Sequence, residues 1–168
     1  IANYVAIANS KRRGRDVRLR DLRIEVEARY QDYASLAPEL ERIAFGTFTP
    51  QETVDLLHCY ENETQALDRL LVAIRTTQDT YGNTLCGYCG INSPATSDHY
   101  LPSSEFPEFA VYHHNLVPCC GECNSNKGDR WRDANGRCIL YLYSDAIATD
   151  VVWLHASVDF ERNVPVAS

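Results

Sequence analysis

Apolar residues at helical spacing characterise the first part of the chain. Four of them recur at intervals of three and four residues: Leu22, Val26, Tyr30 and Tyr33. This spacing places all four on one helix face and predicts a helix over residues 16–45. Pro38 lacks a backbone N–H group, so we expect the helix to be interrupted there.

A second helical segment begins after a turn at residues 46–48. Thr49 can cap its first turn, Pro50 suits the first helical position, and Glu52 can bond back to the cap. An apolar stripe then continues through residue 75, with a break near Asn62. Its members are Leu56, Leu57, Tyr60, Leu67, Leu70, Leu71 and Ile74. We interpret the stripe as core, or as a surface for a partner helix.

Helical periodicity stops near Thr76, and residues 80–131 are rich in Gly, Cys, Asn, Pro and His. The short apolar segment from Cys138 to Tyr143 predicts a strand. Residues 151–158 predict another strand or a short helix. Together these elements predict the α+β fold class, with a helical region over residues 1–79 and a second module over residues 80–168.

The composition is that of an ordinary soluble domain. Of 168 residues, 45% are hydrophobic and 23% are charged, so a core can form without disulfides. The sequence contains no run of 18 apolar residues, so we expect no membrane span. An apolar stretch precedes the first basic run, which reverses the order of a signal peptide, so we expect a cytoplasmic protein.

Charge is distributed unevenly along the chain. The net charge is −7, yet residues 1–23 hold seven basic residues against Asp16 and Asp21. A basic arm of this kind can contact the phosphates of a nucleic acid. It can equally be a solvated helix face or a protein-docking segment, and the sequence leaves these alternatives open.

Two C-x-x-C pairs stand out among the seven cysteines. Their members are Cys86, Cys89, Cys120 and Cys123. Two such turns facing each other form a tetrahedral cage of four sulfurs, which is typical of a structural zinc site with no open position for water. Cys119 adjoins Cys120 and could replace it, although the spacing favours Cys120. We expect Cys59 and Cys138 to be small buried residues.

Polar motifs lie between and after the two cysteine pairs. They are Asp98-His99, His114-Asn115, and Cys123-Asn124 followed by Lys127. Over residues 86–131 this arrangement resembles the HNH endonuclease family, whose fold is a β-hairpin followed by a helix around one divalent metal. The resemblance implies that the second module is a zinc-stapled ββα-metal module with a C-terminal strand extension.

The resemblance also implies a role for each polar residue. His99 is the expected general base, and imidazole suits this role because it titrates near neutrality. Asp98 and Asn124 would hold the catalytic metal, and two oxygen ligands suit Mg²⁺ or Mn²⁺ better than zinc. Asn115 would bond to the backbone and hold the His99 strand in place. Lys127 would contact a flanking phosphate of the substrate.

Each motif also has a simpler interpretation. An Asp-His pair is often a surface pair, Asn124 can cap the helix that follows, and Asn115 can be a loop amide. A non-catalytic zinc-binding module that docks to a protein or nucleic acid is therefore the alternative to a nuclease. Such a module has no need for Asp98, His99 and Asn124 together, so we expect hydrolysis of phosphodiester bonds in DNA or RNA.

The charge of the second module favours a nuclease that works within a larger assembly. Residues 76–140 carry four basic residues against seven acidic ones, and phosphate contacts dominate non-specific DNA affinity. We therefore expect a protein partner, with residues 1–79 as the docking or DNA-contacting region. Similar HNH subunits work with ATPases in bacterial anti-phage systems such as Septu and some retrons.

Overall fold

The computed structural model describes residues 1–77, 84–145, 158–161 and 164–167. The α-helices are α1 (Ala2–Ser10), α2 (Arg15–Asp21), α3 (Arg23–Ser35), α4 (Pro50–Glu61), α5 (Gln65–Thr77) and α6 (Gly121–Lys127). The strands are β1 (Thr96–His99), β2 (Leu116–Cys119), β3 (Arg132–Asp133), β4 (Gly136–Arg137), β5 (Val158–Glu161) and β6 (Val164–Ala167). Short 3₁₀ turns cover Ala37–Arg42, Pro107–Phe109 and His113–Asn115. The described residues thus combine helices with small antiparallel sheets.

The helix predicted over residues 16–45 is shorter in the structure and divided. The chain bends at Leu22 between α2 and α3, and α3 ends at Ser35. Helical geometry is disfavoured for the residue before a proline, which explains why α3 stops ahead of Pro38. The predicted buried face is confirmed, since Leu22, Val26, Tyr30 and Tyr33 are all buried.

The predicted start of the second helix is confirmed. Thr49 Oγ1 accepts a hydrogen bond from the Glu52 backbone N–H at 3.3 Å, and Glu52 Oε2 accepts one from the Thr49 N–H at 2.7 Å. Both ends of this capping box are therefore formed. The expected break is also present, because α4 ends with Asn62 as its C-cap and α5 begins three residues later.

Aromatic packing joins the helical residues to the segment between β1 and β2. The ring of Tyr30 stacks on that of Tyr112, with 4.1 Å between centroids. Tyr33 meets Phe109 edge-on at 4.9 Å and Tyr112 at 5.0 Å. These residues belong to a single buried cluster that also contains Trp131. The predicted domain boundary between residues 79 and 80 lies outside the described residues.

Part of the basic arm binds to the chain itself. The carboxylate of buried Asp55 accepts hydrogen bonds from Arg15 at 2.7 Å and Arg18 at 2.5 Å. The ammonium of Lys11 donates to the carbonyl oxygens of His58 and Asn62, each at 3.0 Å, at the C-terminal end of α4. These contacts fasten α2 and the chain before it to α4, so three of the seven cations of residues 1–23 bind to another helix of the chain.

The strands β1 and β2 form an antiparallel hairpin that leads directly into α6. Thr96 lies opposite Cys119, and His99 lies opposite Leu116. Two further two-stranded sheets pair β3 with β4 and β5 with β6. Helix α6 packs against β1. In the part of the chain that the structure describes, no helix is long and apolar enough to cross a bilayer.

The strand predicted from Cys138 to Tyr143 is wrong. These residues follow β4 as an irregular segment and a turn. Side chains rather than a strand ladder hold them: the hydroxyls of Tyr141 and Tyr143 donate to the backbone carbonyls of His114 and Leu116 at 3.0 and 2.7 Å. The expectation for Cys138 is also wrong, because its side chain is exposed, whereas Cys59 is buried as predicted. Of residues 151–158, only Val158 is described, as the first residue of β5.

Candidate functional site

Four cysteines come together beside the hairpin. The Sγ atoms of Cys86, Cys89, Cys120 and Cys123 all lie within 4.8 Å of one another, and we call this group the cysteine cluster. Cys120 rather than Cys119 belongs to it. The Cys119 side chain instead lies 3.5 Å from the Thr96 hydroxyl, on the hairpin. The cluster can therefore hold a metal ion such as zinc, as the spacing of the two pairs predicts.

The first cysteine turn depends on a close approach to β2. The Gly87 N–H donates to the Pro118 carbonyl at 3.0 Å. A Cβ atom at position 87 would lie 2.7 Å from a Leu142 methyl group and 3.0 Å from that same carbonyl oxygen. Only glycine fits there without displacing the hairpin. Gly90 closes the turn with a positive φ of 64°, which glycine adopts readily.

Backbone donors favour the thiolate form of two members of the cluster. N–H groups of Asn92 and Ile91 lower the pKa of the Cys89 thiol to about 7. The Cys123 N–H lowers the pKa of Cys120 in the same way. Thiolates are the form that binds metals, so these bonds suit metal binding by Cys89 and Cys120, whereas burial raises the pKa of the Cys123 thiol.

A cavity of about 530 Å³ lies on the hairpin. Its lining residues are Tyr60, Leu71, Arg75, Ala95, Thr96, Ser97, Asp98, His99, Pro102, Ser103, Asn124, Gly128 and Asp129. The structure therefore brings Asp98, His99 and Asn124 to one surface. Asn115 and Lys127 are not part of that lining.

His99 is the last residue of β1, and its ring is oriented by a backbone contact. Ring atom Nε2 lies 2.9 Å from the Ala110 carbonyl oxygen. A carbonyl can only accept a hydrogen bond, so Nε2 carries the proton and Nδ1 keeps a lone pair in the neutral ring. Burial lowers the pKa of His99, although the bond to Ala110 opposes this shift. The ring is therefore neutral at pH 7, with one nitrogen able to accept a proton.

Asp98 is a buried carboxylate with two partners. The Lys127 ammonium lies 2.9 Å from Oδ2, and the Tyr88 hydroxyl donates to the same oxygen at 2.6 Å. Lys127 is itself buried, and it also donates to the His99 carbonyl at 2.8 Å. A buried carboxylate requires such compensation. The ammonium of Lys127 points inward to Asp98, and its predicted contact with a substrate phosphate stays a prediction.

Asn124 projects from α6 toward β1. The Thr96 hydroxyl donates its proton to the Cys119 carbonyl at 3.0 Å, so it can only accept from the Asn124 amide, whose Nδ2 lies 3.2 Å away. This fixes the orientation of the amide and leaves Oδ1 turned away from Thr96. An amide oxygen in that position is an available ligand for a hard cation.

Asn115 is fully buried between β2 and the segment before it. Its Oδ1 accepts from the Leu101 N–H at 2.8 Å, and its Nδ2 donates to the carbonyls of Leu101 at 3.0 Å and Phe109 at 3.3 Å. The Tyr33 hydroxyl donates to the same Oδ1 at 3.3 Å. The Asn115 amide thus bonds to the backbone of Leu101 and of Phe109, both of which lie in the segment between β1 and β2.

The helical half contributes residues to this cavity that sequence reasoning treated only as helix surface or core. The Tyr60 ring meets that of His99 edge-on, with 4.4 Å between centroids, and its hydroxyl donates to the Ser97 carbonyl at 3.0 Å. Arg75 lies in the last turn of α5 and also lines the cavity. No local motif marks either residue, because their place at the site depends on packing between distant segments.

Comparison with known proteins gives one short similarity. No family model matches the chain, and no solved structure matches it. A stretch of 40 residues is 48% identical to Protein ea31 of Escherichia phage lambda. That stretch covers 23% of this chain and 14% of the phage protein. None of these comparisons shows membership of the HNH family.

Proposed function

We propose that this chain is a metal-dependent endonuclease of the HNH type that hydrolyses phosphodiester bonds in DNA. One observation carries the proposal. A hairpin followed by a helix brings a carboxylate, an imidazole and an amide, those of Asp98, His99 and Asn124, into one cavity. A module that only binds a partner has no evident use for these three groups at a common surface.

His99 is the general base of the proposed reaction. Its Nε2–H is held by the Ala110 carbonyl, so Nδ1 is the atom that would take the proton of the attacking water. The lowered pKa keeps this nitrogen unprotonated at neutral pH. Tyr60 packs edge-on against the ring and limits its rotation. Asn115 supports the same strand by bonding to the backbone of Leu101, two residues beyond His99.

Asp98 and Asn124 are the proposed ligands of one divalent cation. Their carboxylate and amide oxygens form a donor set that suits Mg²⁺ or Mn²⁺. Such an ion would polarise the scissile phosphate and stabilise the leaving 3′ oxygen. Lys127 balances the charge of buried Asp98 and ties it to the His99 backbone, so we assign it a supporting role instead of a substrate contact.

The cysteine cluster is the proposed zinc site. The four thiols lie within 4.8 Å of one another and form a ligand set of sulfur atoms alone. Such a set favours Zn²⁺ over Mg²⁺. We assign this ion a structural role. It would tie the turn at Cys86 to the start of α6, where Cys120 is the N-cap, and thereby hold the helix that carries Asn124.

We also propose that a protein partner supplies much of the DNA affinity. The chain carries a net charge of −7. Lys11, Arg15 and Arg18 contact the chain's own α4 and are not free to bind phosphates. These three cations are therefore engaged within the chain, the net negative charge opposes DNA binding, and an ATPase-containing assembly of the anti-phage type would provide further contacts.

The test compares two histidine variants of the full chain. His99→Ala should reduce Mg²⁺-dependent cleavage of a plasmid at least about 100-fold, the usual contribution of a general base. His113→Ala removes an exposed histidine that does not line the cavity and should leave cleavage within about twofold of wild type. Equal cleavage by His99→Ala and wild type would refute the proposal. So would a folded wild-type protein that binds a partner but cleaves no DNA with or without it.

A further inference from the structure

One wall of the cavity comes from the helical half of the chain, outside the residues that resemble an HNH module. Tyr60 of α4, with Leu71 and Arg75 of α5, faces the strand that carries Asp98 and His99. The Tyr60 contacts with Ser97 and His99 show that this wall touches the strand directly. A substrate bound in the cavity would therefore touch the helical half as well.

The Nε–H group of Arg75 lacks a hydrogen-bond acceptor among the residues that the structure describes. The Nε atom is also buried. Other arginines of the helical half behave differently: Arg15 and Arg18 pair with Asp55, and Arg29 pairs with Glu108 at 2.9 Å. A buried donor without an acceptor is unfavourable unless a ligand satisfies it. The side chain is thus placed to receive an anion.

Arg75 is the one cationic side chain among the described residues that line the cavity. The charged lining residues are Arg75, Asp98 and Asp129. Asp98 forms an ion pair with Lys127, whose side chain is only 3% exposed. Among the described lining residues, Arg75 is therefore the cation that remains available to a ligand. A guanidinium group is planar and offers several donors in a geometry that matches two phosphate oxygens.

We propose that Arg75 is a phosphate-binding residue of this site. It would hold a non-bridging oxygen of a phosphodiester that lies in the cavity beside His99. The contact is the one that the sequence alone assigned to Lys127. The identity of the ligand as DNA rests on the proposed function, whereas the presence of an anion site rests on the charge of Arg75, its place in the cavity lining and the missing acceptor of its buried Nε.

A matched pair of arginine variants on α5 tests this assignment. Arg75→Gln removes the cavity cation, and Arg69→Gln removes an exposed arginine of the same helix that does not line the cavity. Both are made in the full chain with His99→Ala, so that DNA is not cleaved. The probe is a fluorescein-labelled DNA duplex of about 20 base pairs, followed by anisotropy from low to moderate salt without divalent metal.

The proposal predicts that Arg75→Gln weakens DNA binding about fivefold to tenfold at low salt. It should also lower the slope of log K against log salt by about one. Arg69→Gln should change the dissociation constant by less than twofold. Thermal unfolding provides a second readout, since removal of a donor without an acceptor should leave the midpoint unchanged or raise it. A lower midpoint with unchanged DNA binding would assign Arg75 a structural role and overturn the proposal.

The outcomes also separate this proposal from the nuclease itself. If wild type cleaves no DNA but Arg75→Gln still binds more weakly than Arg69→Gln, the phosphate site stands and the nuclease proposal fails. If cleavage depends on His99 but the two arginine variants bind DNA equally, the nuclease stands and the Arg75 assignment fails. Binding too weak to measure for the His99→Ala protein, even at low salt, would also refute an anion site of useful affinity.

Discussion

The cysteine cluster and the cavity differ in how far apart in sequence their parts lie. All four cysteines come from residues 86–123 and from two short turns. The cavity combines β1 and α6 with Tyr60 and Arg75 from α4 and α5. The cluster is made of sulfur atoms alone, whereas the cavity is open and mixes carboxylate, imidazole, amide and guanidinium groups. The closed group suits a structural metal, and the open one suits chemistry on a ligand.

The β1–β2 hairpin lies next to both the cysteine cluster and the cavity. The β1–β2 pair is only four residues long on each strand, too short to be stable by itself. A metal bound by the cysteine cluster would fasten the chain on either side of the hairpin, while the helical half packs against the segment that joins the strands. We therefore expect damage to the cluster to unfold the module, and damage near the cavity to act more locally.

The largest expected effect comes from Cys86→Ser. Loss of one thiolate should release the metal and unfold the module, because metal binding in such sites contributes about 10–16 kcal/mol in small peptides. The measurement is metal content per chain together with thermal unfolding. Cys138→Ser is the control, since Cys138 is exposed and lies outside the cluster. A Cys86→Ser protein that retains wild-type stability without metal would show that the cluster has no structural role.

A smaller effect is expected from Asn115→Ala. The change leaves the buried N–H and carbonyl of Leu101 without partners and should lower the free energy of unfolding by about 3 kcal/mol. Asn126→Ala, an exposed change on α6, should cost less than about 0.5 kcal/mol. Chemical denaturation measures both. If folded Asn115→Ala retains its metal, the stability of the loop at the cavity is independent of metal binding by the cysteine cluster.

The smallest of the three effects concerns the contact of α2 with α4, the helix that carries Tyr60. Asp55 is buried, which opposes ionisation, but hydrogen bonds from Arg18 and Arg15 lower the pKa of Asp55 below its usual value. The ionised group therefore stabilises the protein above pH ~3.9, and this stabilisation is lost as pH falls through the lowered pKa. Asp55→Asn should cost about 2 kcal/mol at pH 7, less than a fully buried pair because the arginines are partly exposed.

The control for Asp55 is Asp16→Asn, which breaks an exposed pair with Arg20 and should cost less than about 0.5 kcal/mol. The difference between wild type and Asp55→Asn should shrink as the pH is lowered toward 3. A difference that stays constant between pH 7 and pH 3 would mean that the carboxylate charge does not stabilise α4.

Local spacing was enough to predict the cysteine cluster, whereas the three polar residues at the cavity were predicted from their resemblance to the HNH pattern. Two C-x-x-C pairs have few alternative arrangements, and the structure resolves the choice between Cys119 and Cys120. The helix cap at Thr49 and the buried face around Tyr30 follow from equally local rules. The helix cap, the buried helix face and each C-x-x-C pair involve residues that lie close together in sequence, which is the range over which a sequence pattern is informative.

Features that depend on long-range packing escaped prediction. Tyr60 fits an apolar helical stripe, and nothing in its neighbourhood indicates that it contacts His99. Lys127 lies beside Asn124 in sequence, but whether its ammonium faces solvent or Asp98 depends on how α6 docks on β1. The apolar alternation at residues 138–143 predicted a strand, whereas tyrosine hydroxyl contacts with β2 hold a turn there.

In the function proposed above, one hairpin supports a structural metal site and a separate catalytic one. The direct measurement is metal analysis of the purified chain before and after brief chelation, with DNA cleavage, in the presence of any partner, followed in the same samples. We predict that one zinc ion per chain remains, that cleavage is lost on chelation, and that Mg²⁺ or Mn²⁺ restores it. A folded chain that contains no zinc, or cleavage that continues without any added divalent metal, would contradict the account.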